Sequence, residues 1–379
     1  MQYIQRKIES ELSAQFHKGK ALLIFGPRQC GKTTMVHHLV DGAGEEVCWL
    51  NGDDSAVRMQ LENITTNNWR HILGRSTILV VDEAQRIKDI GWGLKLVADE
   101  LSDIQIIATG SSSFDLKNQT SEPLTGRKFD YKLLPFSFHE LCEEHSYLIE
   151  VQNWKQRLRF GCYPAVIGNP GNEERELMEI VNGYLYKDIL ALDGVKNSYA
   201  LEKLVRALAL QVGCEINVSE LSGLVGIDGK TVERYIDILQ KCYIVFKIGA
   251  YSRNLRNELK KSFKVYFHDL GIRNAVIGNF LPMSSRTDAG HLWENFLIAE
   301  RLKKQANIPV PPGHYFWRTT GKTGKEIDYI EESADSLRAW EIKINPDTKA
   351  KIPQTFLRAY PNAATSMLTP QNFTDFLLD

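Results

Sequence analysis

The sequence has 379 residues, 43% hydrophobic and 10% aromatic, with 46 Lys/Arg against 47 Asp/Glu and a formal net charge of −1. These values exclude a disordered chain and a globally basic nucleic-acid binder, so any contact with a polyanion must come from a local patch. Six cysteines (30, 48, 142, 162, 214 and 242) without a C-x-x-C pair argue against a zinc site or a disulfide scaffold and fit a reducing cytoplasm.

At roughly 150 residues per domain, the length predicts two to three domains. The opening MQYIQRKIESELSAQF is charged and amphipathic, without the apolar run of a secretory signal. No stretch approaches the about 20 apolar residues of a membrane span, so no membrane partner is expected. From 20 to 135, short β-branched runs (ALLIF, EEVCWL, STILVVD, IQIIATG, KFDYKLL) alternate with amphipathic segments. That alternation predicts a parallel sheet with covering helices.

Between the first strand and the next helix lies GPRQCGKTT, which fits G-x-x-x-x-G-K-[ST] from Gly26 through Gly31 and Lys32 to Thr33. The glycines let backbone N–H groups close around phosphates, Lys32 reaches the β/γ oxygens, and the Thr33 hydroxyl takes a place on Mg²⁺. A helix opening at Lys32 adds its N-terminal dipole. Some 50 residues on, TILVVDEAQ reads as a buried strand ending in Asp82, which would hold Mg²⁺ through water, and Glu83, which would act as general base. The strand IQIIATGSSS ends in hydroxyls; Thr109 or Ser111 would sense the γ-phosphate or only shape the turn. Arg127, before KFDYKLL, would reach a neighbour's nucleotide in a homo-oligomer or be a solvated strand-edge arginine.

Residues 149–196 read as helices interrupted by IGNPGNEE, and 198–242 as three short helices broken at CEIN and GIDG. SELSGLVGIDGKTVERYIDILQK suits a helix-turn-helix, with Val232, Ile236 and Leu239 inward and Lys230, Glu233, Arg234 and Asp237 outward. Two strand-like runs, YIVFKIGAY and FKVYF, flank a basic stretch. There Arg253, Arg256, Lys260, Lys261 and Lys264 oppose only Glu258 and would bind DNA phosphates along a groove, largely without sequence preference. The alternative is a solvated wing packed on another part of the protein. Segment 284–379 opens with the helix GHLWENFLIAERLKKQ and continues into strands. In AWEIKI the period of two puts Trp340, Ile342 and Ile344 on one face, and Glu341 and Lys343 on the other. Asp328 lies in the strand-like EIDYI.

Taken in order, GPRQCGKTT, VVDEAQ, ATGSSS, LTGRKFDYKLLPFSFHEL, GCYPAV, YLYKDI, KTVERYIDILQKCYIV, KVYFHDLGIRNAV, HLWENFL and KEIDYI…WEIKI resemble a widespread prokaryotic family of AAA-type P-loop ATPases, over essentially the whole chain. The resemblance implies ATP and Mg²⁺ as cofactors. It also implies a Walker A loop of Gly26, Pro27, Arg28, Gln29, Cys30, Gly31, Lys32, Thr33 and Thr34, and a Walker B pair of Asp82 and Glu83. It further implies a winged-helix middle and a C-terminal part of unknown function similar to PD-(D/E)XK nucleases. There Glu294, in G-x-x-x-E, would join Asp328, Glu341 and Lys343 around a Mg²⁺ ion. The Gln and Tyr that often follow E-x-K in such nucleases are matched only loosely, by Gln354 and Tyr360. The same residues also suit a domain core, or a DNA-holding surface that does not cut.

The expected architecture is a multidomain α/β protein. A P-loop AAA-like parallel sheet (1–148) precedes a helical lid (149–196), a winged helix-turn-helix (197–283) and a restriction-endonuclease-like α/β domain (284–379). The expected activity is Mg²⁺-dependent ATP hydrolysis coupled to DNA binding or remodelling. The alternatives are an ATP-driven switch for a protein partner and an active metal-dependent nuclease.

Overall fold

The computed structural model describes residues 3–111, 120, 122–189, 195–252, 262–319, 324–348 and 351–378, with backbone alone at 187 and 188. The chain divides into two compact units, Met1–Phe136 with Lys241–Tyr243, and Ser137–Gln240 with Ile244–Asp379.

The first unit is built on a five-stranded parallel sheet: β1 (Ala21–Phe25), β2 (Val47–Asn51), β3 (Ile78–Asp82), β4 (Gln105–Gly110) and β5 (Lys128–Lys132), in the order β2-β3-β4-β1-β5. β1, β3 and β4 are buried at every residue, while β2 and β5 are partly exposed. Central strands of a parallel sheet are covered on both faces, which is why they read as unbroken apolar runs. Leu22, Ile24, Ile78, Val80 and Ile107 pack with Met35, Val36, Leu39 and Val40 of the helix Lys32–Ala43 and with Leu12 of the helix Glu9–Ala14. Because β4 lies between β1 and β3, its carboxyl end falls between the loop after β1 and the acidic end of β3. Such a crevice at the carboxyl ends of parallel strands is where α/β sheets bind ligands.

The second unit begins with helices Phe138–His145, Tyr147–Phe160, Pro164–Gly168 and Glu173–Ile180. Three more follow, Ser198–Leu210, Val218–Val225 and Gly229–Lys241, broken where the sequence predicts. Gly226 ends the second of these at φ 81, and Asp228 Oδ1 accepts from the Thr231 N–H at 3.0 Å to start the third. Val232, Ile236 and Leu239 are buried, and Lys230, Glu233, Arg234 and Asp237 exposed.

A six-stranded mixed sheet completes this unit. Its strands are β6 (Val245–Ala250), β7 (Phe263–Phe267), β8 (Gly313–Arg318), β9 (Glu326–Ser333), β10 (Ser336–Ile342) and β11 (Ala364–Leu368), in the order β11-β10-β9-β8-β6-β7. β6 and β7 pair antiparallel, and β6 continues the sheet by pairing parallel with β8, Gly249 opposite Tyr315 and Ala250 opposite Phe316. The two strand-like runs expected in a wing are thus strands of the same sheet that carries EIDYI and AWEI. Segments 149–196 and 284–379, and 197–283 apart from Lys241–Tyr243, share one compact unit, and the N-terminal stretch of the first unit closes at Phe136.

The motif KVYFHDLGIRNAV is a packing device. Asp269 caps the helix Leu270–Ile277 and accepts from the Cys162 N–H at 2.7 Å. Asn274 donates to the carbonyls of Leu158 and Arg159. Asn295, from the helix Ala289–Gln305, bonds both the N–H and the C=O of Phe267 at 2.8 Å. Buried polar side chains of this kind hold elements in register by satisfying backbone groups that no strand or helix partner reaches.

Candidate nucleotide-binding site

The chain leaves β1 at Phe25 and turns at Gly26, where an added Cβ would lie 1.9 Å from the Leu133 carbonyl oxygen. Gly31, at φ 93, caps the helix that starts with Lys32. Both positions require glycine, one for close approach and one for left-handed backbone. Lys32 is buried, and its Nζ donates to the carbonyls of Gly26 (3.0 Å) and Pro27 (2.8 Å) in its own loop. Cys30 is buried, Gln29 and Thr34 are exposed, and Arg28 is half-buried.

Asp82 ends β3 with both carboxylate oxygens engaged. Oδ2 accepts from the Thr33 hydroxyl at 2.9 Å and Oδ1 from the Thr109 hydroxyl at 2.5 Å. Thr109 also accepts from the Glu83 N–H at 3.1 Å. Glu83 follows in left-handed backbone at φ 48, a conformation that costs a residue with a side chain roughly 1–2 kcal/mol and gathers at functional sites. Its carboxylate accepts from Gln85 Nε2 at 2.5 Å, and the same amide donates to Ser111 Oγ at 3.0 Å. Thr33, Asp82, Glu83, Thr109 and Ser111, from three places in the sequence, therefore form one connected group. The Thr33 hydroxyl beside the Asp82 carboxylate is a hard-oxygen donor set of the type Mg²⁺ prefers.

In the second unit, Glu294, Asp328, Glu341 and Lys343 also come together, with two lysines among the acids. Lys264 Nζ lies 3.2 Å from Glu294 and 2.5 Å from Glu326, and Tyr266 donates to Glu294 at 2.5 Å. Lys343 Nζ lies 3.2 Å from Asp328 and 2.7 Å from Glu341, while the Ile342 N–H donates to Asp328 at 2.7 Å. Burial pushes the Glu294 carboxyl above the usual carboxylate range, Lys264 opposing and Asp328 adding. Burial raises Glu341 as well, with Asp328 adding and Lys343 opposing. For Lys343, burial works against the charge but Asp328 and Glu341 outweigh it, so its pKa rises. Among the described residues no three His, Cys, Asp or Glu side chains converge closely enough to hold a metal ion. Tyr360 is in the core and Gln354 is exposed.

Compared with known families, residues 18–142 match a AAA domain, 151–282 a domain of unknown function (DUF8612) and 289–374 another (DUF4143). Residues 18–142 are a AAA domain of the P-loop ATPase type. Among similar proteins, an uncharacterized protein of Mycobacterium tuberculosis is 24% identical over 343 residues, 89% of this chain and 74% of that one. One of Haemophilus influenzae is 26% identical over 272 residues, 68% and 63% of the two chains. Among solved structures, the Thermotoga maritima RuvB Holliday junction branch migration motor is 15% identical and aligns over 69% of this chain and 92% of its own, at a TM-score of 0.33.

Within the AAA domain, Arg127 stands apart from the phosphate loop. The Ala21 N–H donates to its carbonyl at 2.8 Å, so it sits at the amino end of the parallel strands while the loop leaves the carboxyl end. Five residues of strand separate the two, roughly 16 Å. Its side chain pairs with Asp99. Of the cations expected to face DNA, Lys230 and Arg234 are exposed, and Arg253, Arg256, Lys260 and Lys261 lie outside the described residues. Lys264 is buried among Glu294 and Glu326, a correction to its expected place on a phosphate-binding groove. The first compact unit also holds two groups that sequence reasoning missed. Gln85 betrays itself only as the last residue of VVDEAQ, and Arg6, which reaches the phosphate loop, has no local signal at all. No helix among the described residues is long and apolar enough to cross a membrane.

Proposed function

We propose that this chain is an Mg²⁺-dependent ATPase whose turnover is coupled to DNA. The observation that carries the hydrolytic reading is the connected group at the strand tips, with Thr33 and Thr109 on the two oxygens of Asp82 and Glu83 directly after it. The loop N–H groups bind the phosphates, and Lys32 exchanges its two loop carbonyls for phosphate oxygen. Thr33 and Asp82 would hold Mg²⁺, which when bound offsets charge on the β- and γ-phosphates. Once Glu83 is released from Gln85, its carboxylate orients a water and takes its proton. Thr109 and Ser111 relay the state of the γ-phosphate to Asp82 and Gln85.

The decisive test is a pair of variants. Lys32→Ala loses nucleotide binding, and Glu83→Gln binds ATP but does not turn it over. An undiminished rate in the Glu83 variant would sink the assignment.

Coupling to DNA is supported by thirteen Lys/Arg against eight Asp/Glu across residues 196–275, with Lys230 and Arg234 exposed. We read the helix Ala289–Gln305 with β8–β11 as a PD-(D/E)XK-like fold that does not cut, because Lys264 and Lys343 already balance charge among its acids. Turnover measured with and without single-stranded, duplex and branched DNA, and run on a gel, is expected to rise without cleavage. Cleavage abolished by Asp328→Ala would establish a nuclease instead. Turnover indifferent to DNA would favour a switch for a protein partner.

A further inference from the structure

We infer that Arg6 is a positioning residue of the phosphate loop, acting through the Cys30–Gly31 peptide; the inference rests on the ATPase reading. Arg6 lies ahead of β1 and is 5% exposed. Its Nη1 donates to the Cys30 carbonyl at 3.0 Å and its Nη2 to the Leu134 carbonyl at 2.6 Å, with the guanidinium 4.8 Å from the Phe136 ring centroid. The Cys30 thiol donates to the neighbouring Leu133 carbonyl at 3.3 Å. The loop is thereby fastened to the segment after β5 at two adjacent carbonyls.

The peptide geometry gives this contact its meaning. The described chain contains no cis peptide bond, so the carbonyl of Cys30 and the N–H of Gly31 point in opposite directions from one plane. With Arg6 on the carbonyl, the Gly31 N–H faces away from it, toward the side where a loop of this kind receives phosphate. A cation on the carbonyl oxygen also polarises the amide and strengthens its N–H as a donor. Lys32 serves the loop differently. Its two carbonyls, Gly26 and Pro27, are given up when it turns to phosphate, whereas the hold of Arg6 on Cys30 does not depend on which way Lys32 faces.

The turn that carries Arg6 is itself tied to the helix that follows the loop. The Glu9 carboxylate accepts from the Arg6 N–H at 2.5 Å and the Tyr3 hydroxyl at 2.6 Å, and lies 2.8 Å from His38 Nδ1. The Tyr3 and His38 rings stack at 4.1 Å. His38 belongs to the helix Lys32–Ala43. The segment before β1 thus grips the phosphate loop through Arg6 and its helix through Glu9, fixing the two relative to each other before nucleotide arrives. Such pre-organisation lowers the ordering cost of binding.

The test is the affinity of the full chain for fluorescent ADP and ATP analogues, with turnover at saturating ATP, in the wild type, Arg6→Lys, Arg6→Met and Lys32→Ala. Arg6→Met is expected to weaken both nucleotides by the same factor, roughly tenfold, because the contact serves the loop around the β-phosphate. Arg6→Lys, which keeps the charge, is expected to recover most of that loss. The rate at saturation should stay within about twofold of wild type, since a ground-state binding contact appears in KM rather than kcat. Wild-type ADP affinity in Arg6→Met would overturn the inference, as would equal losses in the Lys and Met variants or a loss confined to kcat. If Arg6→Met loses its cooperative thermal melt, Arg6→Gln, which keeps a neutral donor, reads the same affinities. A wild-type chain that binds neither nucleotide would overturn the ATPase reading itself, a result distinct from wild-type and Arg6 variants that bind alike.

Discussion

Thr109 makes two bonds that Asp82 and Glu83 both need, so one hydroxyl sets the geometry of the acidic end of β3. Thr109→Val keeps the shape but leaves a carboxylate oxygen and a backbone N–H without that partner, at about 1–3 kcal/mol for each buried group. Turnover is expected to fall at least tenfold with ADP affinity nearly unchanged, which steady-state kinetics beside a binding titration would reveal. Asp288 offers a pH test. Burial would raise its carboxyl, but the Arg286 hydrogen bonds and the Arg273 charge outweigh that and depress it to about 2. A depressed carboxylate adds stability above its unfolded value of about 4, lost as pH falls through about 2. Asp288→Asn should therefore lower the melting temperature at pH 5 and above and converge with wild type near pH 2. The sequence announced Gly26, Lys32, Thr33, Asp82 and Glu83, because a phosphate loop constrains residue type at fixed spacing. It misjudged Lys264, since a count of charges in a basic run cannot see that Lys264, in β7 opposite Ile248 of β6, is buried.

The phosphate loop, as an element, is shaped by what it packs on. Gly26→Ala would drive a methyl into the Leu133 carbonyl and displace the turn, so nucleotide affinity is expected to drop more than tenfold, measured by titration, while the sheet still folds. Asn295→Leu would leave the N–H and C=O of Phe267 without their side-chain partner. Two such groups cost about 2–5 kcal/mol, visible as an earlier denaturation midpoint in the fluorescence of the buried Trp293. The elements themselves were legible: the strands of the AAA domain as apolar runs, the three helices after 197 from their periodicity and breaks. Sheet membership was not. Pairing of Gly249 with Tyr315 is settled by contacts far apart in sequence, and nothing local in YIVFKIGAY distinguishes a wing from an inner strand.

For the molecule as a whole, a net charge of −1 leaves the proposed DNA binding to local cations. Each phosphate neutralised contributes about −0.9 to the slope of log K against log salt, so replacing both Lys230 and Arg234 by Glu should make that slope shallower by about two. An unchanged slope would remove the helix Gly229–Lys241 from the DNA-contacting surface. The placement of β6 has a further consequence, in time. Roughly sixty residues separate its end at Ala250 from its partner's start at Gly313. At about 5–20 residues per second of synthesis, the ribosome exposes an apolar strand edge for several seconds before β8 exists to cover it. Chaperone dependence during translation should therefore centre on Val245–Ala250, and codon changes that slow passage between 251 and 312 should lower soluble yield without altering the finished protein.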